Sequence, residues 1–229
     1  MKSLRLVITI ALSGIFFSCT SSSSNSTGSE PVESGVLVPL VPYNVWVYDK
    51  VEFTPTGSIK KETTDSVQIL PDSKLNSATG ITWYDFNHEL RSANLADPNF
   101  PGLWRVNDDL IYPQLWFKYP AKVGESFRWG PIRQTLAFPT SQKPDSTVNL
   151  LGNFVVVAKN VLIPTRDGGN YSCYQYKSEY NDARNVTYLE TIEYFAPNVG
   201  EIMKEEYVRD VTNSLKLATR SKLISKHLH

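Results

Sequence analysis

Two cysteines in 229 residues, Cys19 and Cys173, are too few for a disulfide framework. Histidine is scarce, with three residues, and neither charge is in excess: 23 Lys and Arg stand against 23 Asp and Glu. No basic tract is interleaved with aromatics, so nucleic acid is not an expected partner. No Gly-rich phosphate loop is present, because Asp167-Gly168-Gly169-Asn170 is too short and lies between strand-like segments. No serine occupies a Gly-x-Ser-x-Gly elbow. Beyond the N-terminal segment no stretch approaches eighteen apolar residues, so nothing later in the chain reads as a spanning helix.

The N-terminal segment is the clearest signal. Lys2 and Arg5 precede an uncharged apolar run over residues 6–17, LVITIALSGIFF. About twelve residues fall short of the ~20 a spanning helix needs, but fit the apolar part of an export signal. Phe16-Phe17-Ser18-Cys19 resembles the lipobox of bacterial lipoproteins, a small residue before an obligatory cysteine. The resemblance implies cleavage before Cys19 and a lipid anchor on its sulfur. Residues 20–35 are mostly Ser, Thr, Gly and Glu and read as a flexible spacer. The expected organisation is a signal peptide over 1–18, a Ser-rich tether over 19–38 and a single β-rich domain over 39–229. Thr20 stands where an enterobacterial retention signal would have Asp, which implies outer-membrane delivery by resemblance to that sorting rule. No acidic cluster follows Cys19 closely, so the expected face is periplasmic.

Past residue 40, Tyr, Trp, Thr and Val are frequent, and Gly, Pro, Asn and Asp punctuate at short intervals. That combination favours strands. Residues 43–53 alternate, with Val45, Val47, Val51 and Phe53 on one face. Pro55-Thr56-Gly57-Ser58 reads as a turn, with 59–70 the returning strand. Hairpin patterns recur around residues 167–170, 181–184 and 196–200. Residues 88–109 are the least regular stretch, with one short turn expected at 93–97. Residues 215–223 alternate, placing Leu215, Leu217 and Leu223 together and Lys216, Arg220 and Lys222 opposite. The expected fold is all-β, an antiparallel meander forming an open curved sheet or partial barrel.

Tyr194-Phe195-Ala196-Pro197-Asn198-Val199-Gly200, continuing to Tyr207, resembles an aromatic-aromatic-Ala-Pro-Gly-Val-Gly piece of uncharacterised bacterial lipoproteins with domains of unknown function. Tyr119-Pro120-Ala121-Lys122-Val123-Gly124-Glu125-Ser126-Phe127 is similar to the Tyr-Pro-x-x-Val-Gly piece that lies upstream in those families. The likeness covers roughly residues 110–210. It implies an antiparallel β domain of a periplasm-facing lipoprotein and carries no catalytic residues.

Candidate sites are few. With Cys19 lipidated, Cys173 has no partner in the chain; among strand-forming aromatics it reads as a small buried hydrophobe, the alternative being a reactive thiol. Asp85, His88 and Glu89 include one histidine only and point to no metal site. His227 and His229 sit at the C-terminus and receive no role, and no cofactor is expected. Trp83, Trp104, Trp116, Phe117 and Trp129 lie within fifty residues and could be core or could line a ligand surface. Two functions fit. One is a non-catalytic, lipid-anchored envelope protein that binds a partner protein, lipid or glycan through its β domain. The other is an envelope hydrolase whose carboxylates are brought together by folding, which an inward cluster of polarised acids would favour.

Overall fold

The structure, a computed structural model, describes residues 35–71, 80–84, 90–97, 100–106, 114–135, 147–181, 185–210 and 212–229. The signal segment, Cys19 and most of the tether lie outside the described residues. Twelve strands follow one another: β1 (Val45–Phe53), β2 (Ile59–Pro71), β3 (Gly80–Tyr84), β4 (Leu90–Asp97), β5 (Phe100–Val106) and β6 (Gln114–Phe117), then β7 (Ser126–Thr135), β8 (Thr147–Pro164), β9 (Asn170–Asn181), β10 (Thr187–Ala196), β11 (Gly200–Arg209) and β12 (Leu215–His227). There is no helix among the described residues. The strands form one sheet in the order β6-β5-β4-β3-β2-β1-β12-β11-β10-β9-β8-β7, and every pairing is antiparallel. The sheet is therefore the expected antiparallel meander, open between its edge strands β6 and β7.

The order has a simple logic. From β1 to β6, and from β7 to β12, each strand pairs with its neighbour in sequence, as short turns demand. A single pairing joins the two meanders: β1 lies against β12, from Val45 opposite His227 to Glu52 opposite Thr219. The turn after β10 carries two left-handed residues, Asn198 at φ 61° and Gly200 at φ 109°. Asparagine tolerates that region better than other side chains, so it can replace the glycine of the resembling families. A Cβ on Gly200 would also stand 3.2 Å from Trp46 Nε1, whose indole donates to the Val199 carbonyl at 2.7 Å.

Two expectations are corrected. The irregular stretch at 88–109 contains β4 and β5 rather than a short turn at 93–97, with Ala93 opposite Val106 and Leu95 opposite Trp104. Ladder hydrogen bonds to β3 and β5 outweigh a weak local preference there. In β12 the alternation does not hold end to end. Glu206 pairs with Thr219 but Tyr207 pairs with Leu217, so Ala218 is an inserted bulge residue. The insertion reverses the alternation. Leu223 is fully buried, while Leu215 and Leu217 are only half-buried on the opposite face.

The sheet curls until one edge covers its own face. Phe117 of β6 is 0% exposed, with ring centroids 5.0 Å from Tyr176 of β9 and 4.8 Å from Phe195 of β10. The Tyr176 hydroxyl donates to the Lys118 carbonyl at 2.8 Å, which ties the end of β6 down. Phe154, Val156, Ile202, Leu223, Trp46 and Tyr48 belong to the same core. Leu37, Val38 and Leu40 close its lower end, so the buried core takes in two positions assigned to the tether.

Cys173 is 0% exposed, and burial pushes its thiol up to about 12. At neutral pH it is protonated and shielded from reagents. Native protein is expected to resist a thiol reagent and to label only in denaturant, as read by intact mass. Rapid labelling of the folded chain would contradict its placement in the core.

Candidate functional site

Phe117 is wholly enclosed by Phe154, Tyr176, Phe195 and Trp116, which leaves no ring face for a ligand. Trp116 is half-buried and stacks on Phe117 at 5.3 Å. Trp83, Trp104 and Trp129 fall on β3, β5 and β7. Their side chains lie outside the described part of the structure, as do Asp85, His88 and Glu89. Of the five aromatic candidates, Phe117 is core and Trp116 is half-buried against it.

Below the aromatic cover, the inner face of the sheet carries a polar band. Residues opposite each other in an antiparallel ladder share a face. One row runs Tyr176, Glu193, Lys204, Ser221, Lys50 across β9, β10, β11, β12 and β1. The next runs Ser178, Thr191, Glu206, Thr219, Glu52 across the same strands. A third row on the other side holds Tyr174, Phe195 and Glu201. Tyr176 and Phe195 touch Phe117, so this face is the one that β6 covers.

Most of the band is internally paired. Lys204 Nζ lies 2.9 Å from Glu206 Oε1 and 3.9 Å from Glu193 Oε1. Thr219 donates to Glu206 at 2.8 Å, and Thr191 to Glu193 at 3.2 Å. Lys50 pairs with Asp65 at 3.6 Å. Glu201 differs: its carboxyl makes no hydrogen bond or ion pair among the described residues, and its backbone carbonyl alone accepts from the Tyr48 hydroxyl. The Ser178 and Tyr174 hydroxyls are buried without a hydrogen-bond partner. Lys204 and Glu206 nevertheless keep 29% and 33% of their side chains open.

The carboxyls are polarised in opposite directions. Burial lifts Glu201 to about 7; the Lys204 ammonium opposes this, and the Glu193 and Glu206 charges add to it. Glu206 is held down at about 2 by the Lys204 ammonium, with the Thr219 hydrogen bond adding to the effect. Lys204 stays firmly charged, because Glu206, Glu193 and Glu201 outweigh the cost of its burial. Burial, and then the Glu201 charge, raises the Tyr48 phenol well above its ordinary value. No group of three or more His, Cys, Asp or Glu among the described residues could hold a metal ion. Sequence reasoning missed this cluster because its members are spread over two strands, and in the run Lys204-Glu205-Glu206 the middle residue faces the other way. Only the ladder register aligns them.

The outer face shows what a structural network looks like by contrast. Arg220 grips Glu205 through Nε at 2.8 Å and Nη2 at 2.7 Å, and Tyr207 donates to the same carboxylate at 3.1 Å.

No family model and no curated protein matches the chain. Among solved structures, it is similar to a candidate exported protein with a YmcC-like fold from Bacteroides fragilis, at 12% identity and a TM-score of 0.40, covering 85% of this chain and 100% of that one. It is also similar to a candidate lipoprotein from Parabacteroides distasonis, at 13% identity and a TM-score of 0.41, with 85% and 100% covered.

Proposed function

We propose that the chain is an exported protein of the cell envelope, tethered by a lipid on Cys19 and facing the periplasm from the outer membrane, whose curled sheet binds a glycan inside. The anchor rests on the lipobox-like residues 16–19 and the Ser-rich spacer that follows. The binding half rests on one observation: a polar band on the covered face in which the Ser178 hydroxyl and the Glu201 carboxyl have no partner of their own. Leaving buried polar groups unsatisfied costs stability, so such groups mark places where a ligand completes the hydrogen bonding.

Each half has its own test. Cys19→Ser should abolish incorporation of labelled palmitate and release the protein from membranes; unchanged labelling would remove the anchor. A panel of oligosaccharides should contain a member that raises the unfolding temperature of wild type but not of Ser178→Val. A flat response across the panel would remove the binding half.

A second reading is favoured by the opposed titration of Glu201 and Glu206. One carboxyl raised toward neutral pH on the same face as one held ionised is a pattern found in acid–base hydrolysis. Against it, Glu206 is committed to Lys204 and Thr219 and is not free to act as a base. Turnover of a glycan that depends on Glu201 would favour this reading over simple binding.

A further inference from the structure

Eight residues in a row, Val36-Leu37-Val38-Pro39-Leu40-Val41-Pro42-Tyr43, carry no charge and no polar side chain except the Tyr43 hydroxyl. The structure divides them between two sides. Leu37, Val38 and Leu40 are buried in the core, whereas Val36, Val41 and Tyr43 are 39%, 41% and 56% exposed. Hydrogen bonds fasten the segment to the end of the sheet where β1 begins. The Val36 N–H donates to Asn198 Oδ1 at 3.1 Å, and its carbonyl accepts from the Asn198 N–H at 2.8 Å. Asn44, wholly buried, donates from Nδ2 to the Pro39 carbonyl at 2.7 Å and accepts from the His229 N–H at 2.7 Å. Apolar side chains are thus held outward on a mount that is itself well bonded.

A second, independent observation is the backbone at Tyr43. The Asn44 N–H closes a turn on the Val41 carbonyl at 3.1 Å, and Tyr43 sits inside that turn at φ 72°. Glycine or asparagine is the usual occupant of this region, and a bulky side chain in it is strained. The strain is not offset by burial, because Tyr43 is the most exposed of the three. A strained residue whose side chain stands in solvent points to a role outside folding.

The position of the segment in the chain selects its occupant. Residues 20–34 are all that separate Cys19 from Gly35. At about 3.5 Å per residue they reach roughly 55 Å fully extended, and a Ser-rich coil of that length spans about 20 Å. Three side chains are too few for a protein partner, which needs about 800 Å² on each side. They also lack the placed polar groups that fix a small ligand. A bilayer surface asks only for apolar groups and an aromatic ring at headgroup depth. Weak contact suffices there, because an anchored chain meets its own bilayer at high effective concentration. We infer that Val36, Val41 and Tyr43 seat the domain on the lipid surface that holds its anchor, with the end of the sheet where β1 begins against the headgroups. This rests on the anchor at Cys19 and adds the orientation of the domain.

The test places an environment-sensitive fluorophore on Val41→Cys in the lipidated full chain; Cys173 is buried and should not react. The probe is a vesicle of phosphatidylethanolamine and phosphatidylglycerol. Reconstitution should raise the emission roughly threefold and shift it to the blue. The same dye on Thr56→Cys, in the turn between β1 and β2 at the far end of β1, should change little. Tyr43→Gly keeps a backbone that glycine adopts freely and removes the ring. It should fold with no loss in unfolding temperature, yet cut the Val41 response by about half. A Val41 dye that stays as in solution while the chain remains on the vesicles would overturn the seating and leave the anchor standing. An equal rise at Val41 and Thr56 would overturn it too, since neither end would then be the seated one. A chain that takes up no palmitate and leaves the vesicles would remove both readings. Emission that grows with protein concentration in the absence of vesicles would assign the face to a second copy and overturn lipid as its occupant.

Discussion

Phe117→Ala is expected to destabilise the domain by about 3–5 kcal/mol, the range for emptying a fully buried aromatic site. The residue is 0% exposed and makes ring contacts with Trp116, Phe154, Tyr176 and Phe195. It sits on β6, four residues long and hydrogen-bonded on one side only, to β5. An edge strand that short cannot be held across the sheet by its ladder, so the packing of one ring holds it there. The neighbouring cover should loosen with it, which places the value at the upper end. Phe127→Ala is the comparison: that ring is half-buried and stacks on Phe154 at 5.2 Å, so its loss should cost less. Urea unfolding of the two variants checks the order. A loss below about 1 kcal/mol for Phe117→Ala would mean that β6 does not close over the sheet.

Stability should fall as pH rises from about 4.5 through 7, and Glu201→Gln should abolish most of that fall. A carboxyl whose folded value lies above its unfolded value favours the folded state while it is neutral. That contribution is complete below the unfolded value of 4.5 and is lost as pH climbs through about 7. At ~1.36 kcal/mol per unit, the effect is at most about 3 kcal/mol, and solvent reaching the band reduces it. Glu206 works at the other end: its lowered value adds stability above 4.5 that disappears as pH falls through about 2. Folded chain should thus be most stable in mildly acidic solution. Chemical denaturation at several pH values measures this. If the Gln variant keeps the full loss through pH 7, another group is titrating.

The architecture was readable because alternation and turn residues are local signals. Residues 43–53 became β1 and the turn at 55–58 followed it, while the Asp167–Asn170 and Ala196–Gly200 turns joined the strands expected of them. What stayed hidden was non-local. A bulge such as Ala218 leaves no mark in composition, yet it moves Leu217 to the far face. Phe117 drew notice as an aromatic, but its enclosure depends on how far the sheet curls. The band from Ser178 to Glu52 was invisible for the same reason: its members come from five strands, and only the ladder register brings them together. Ion pairs on a solvated face and acids inside a sheet read alike along a strand.

The join between β1 and β12 sets the order in which the molecule can be completed. Ten of the eleven pairings link strands that follow one another, and each of those nearest-neighbour hairpins or crossings can form as soon as its second strand exists. The exception brings Val45 to His227, across nearly the whole chain. Closing so long a loop is entropically slow. As the chain is made from its N-terminal side, β1 must wait with one flank bare until β12 arrives. During that interval it offers an unpaired row of backbone donors and acceptors beside a growing sheet, the kind of edge that recruits strands from other molecules. Lys50, Glu52 and Asp49 on that strand are charges of the sort that discourage such mispairing. Strand β12 thus acts as the clasp that ends the period of greatest vulnerability to aggregation.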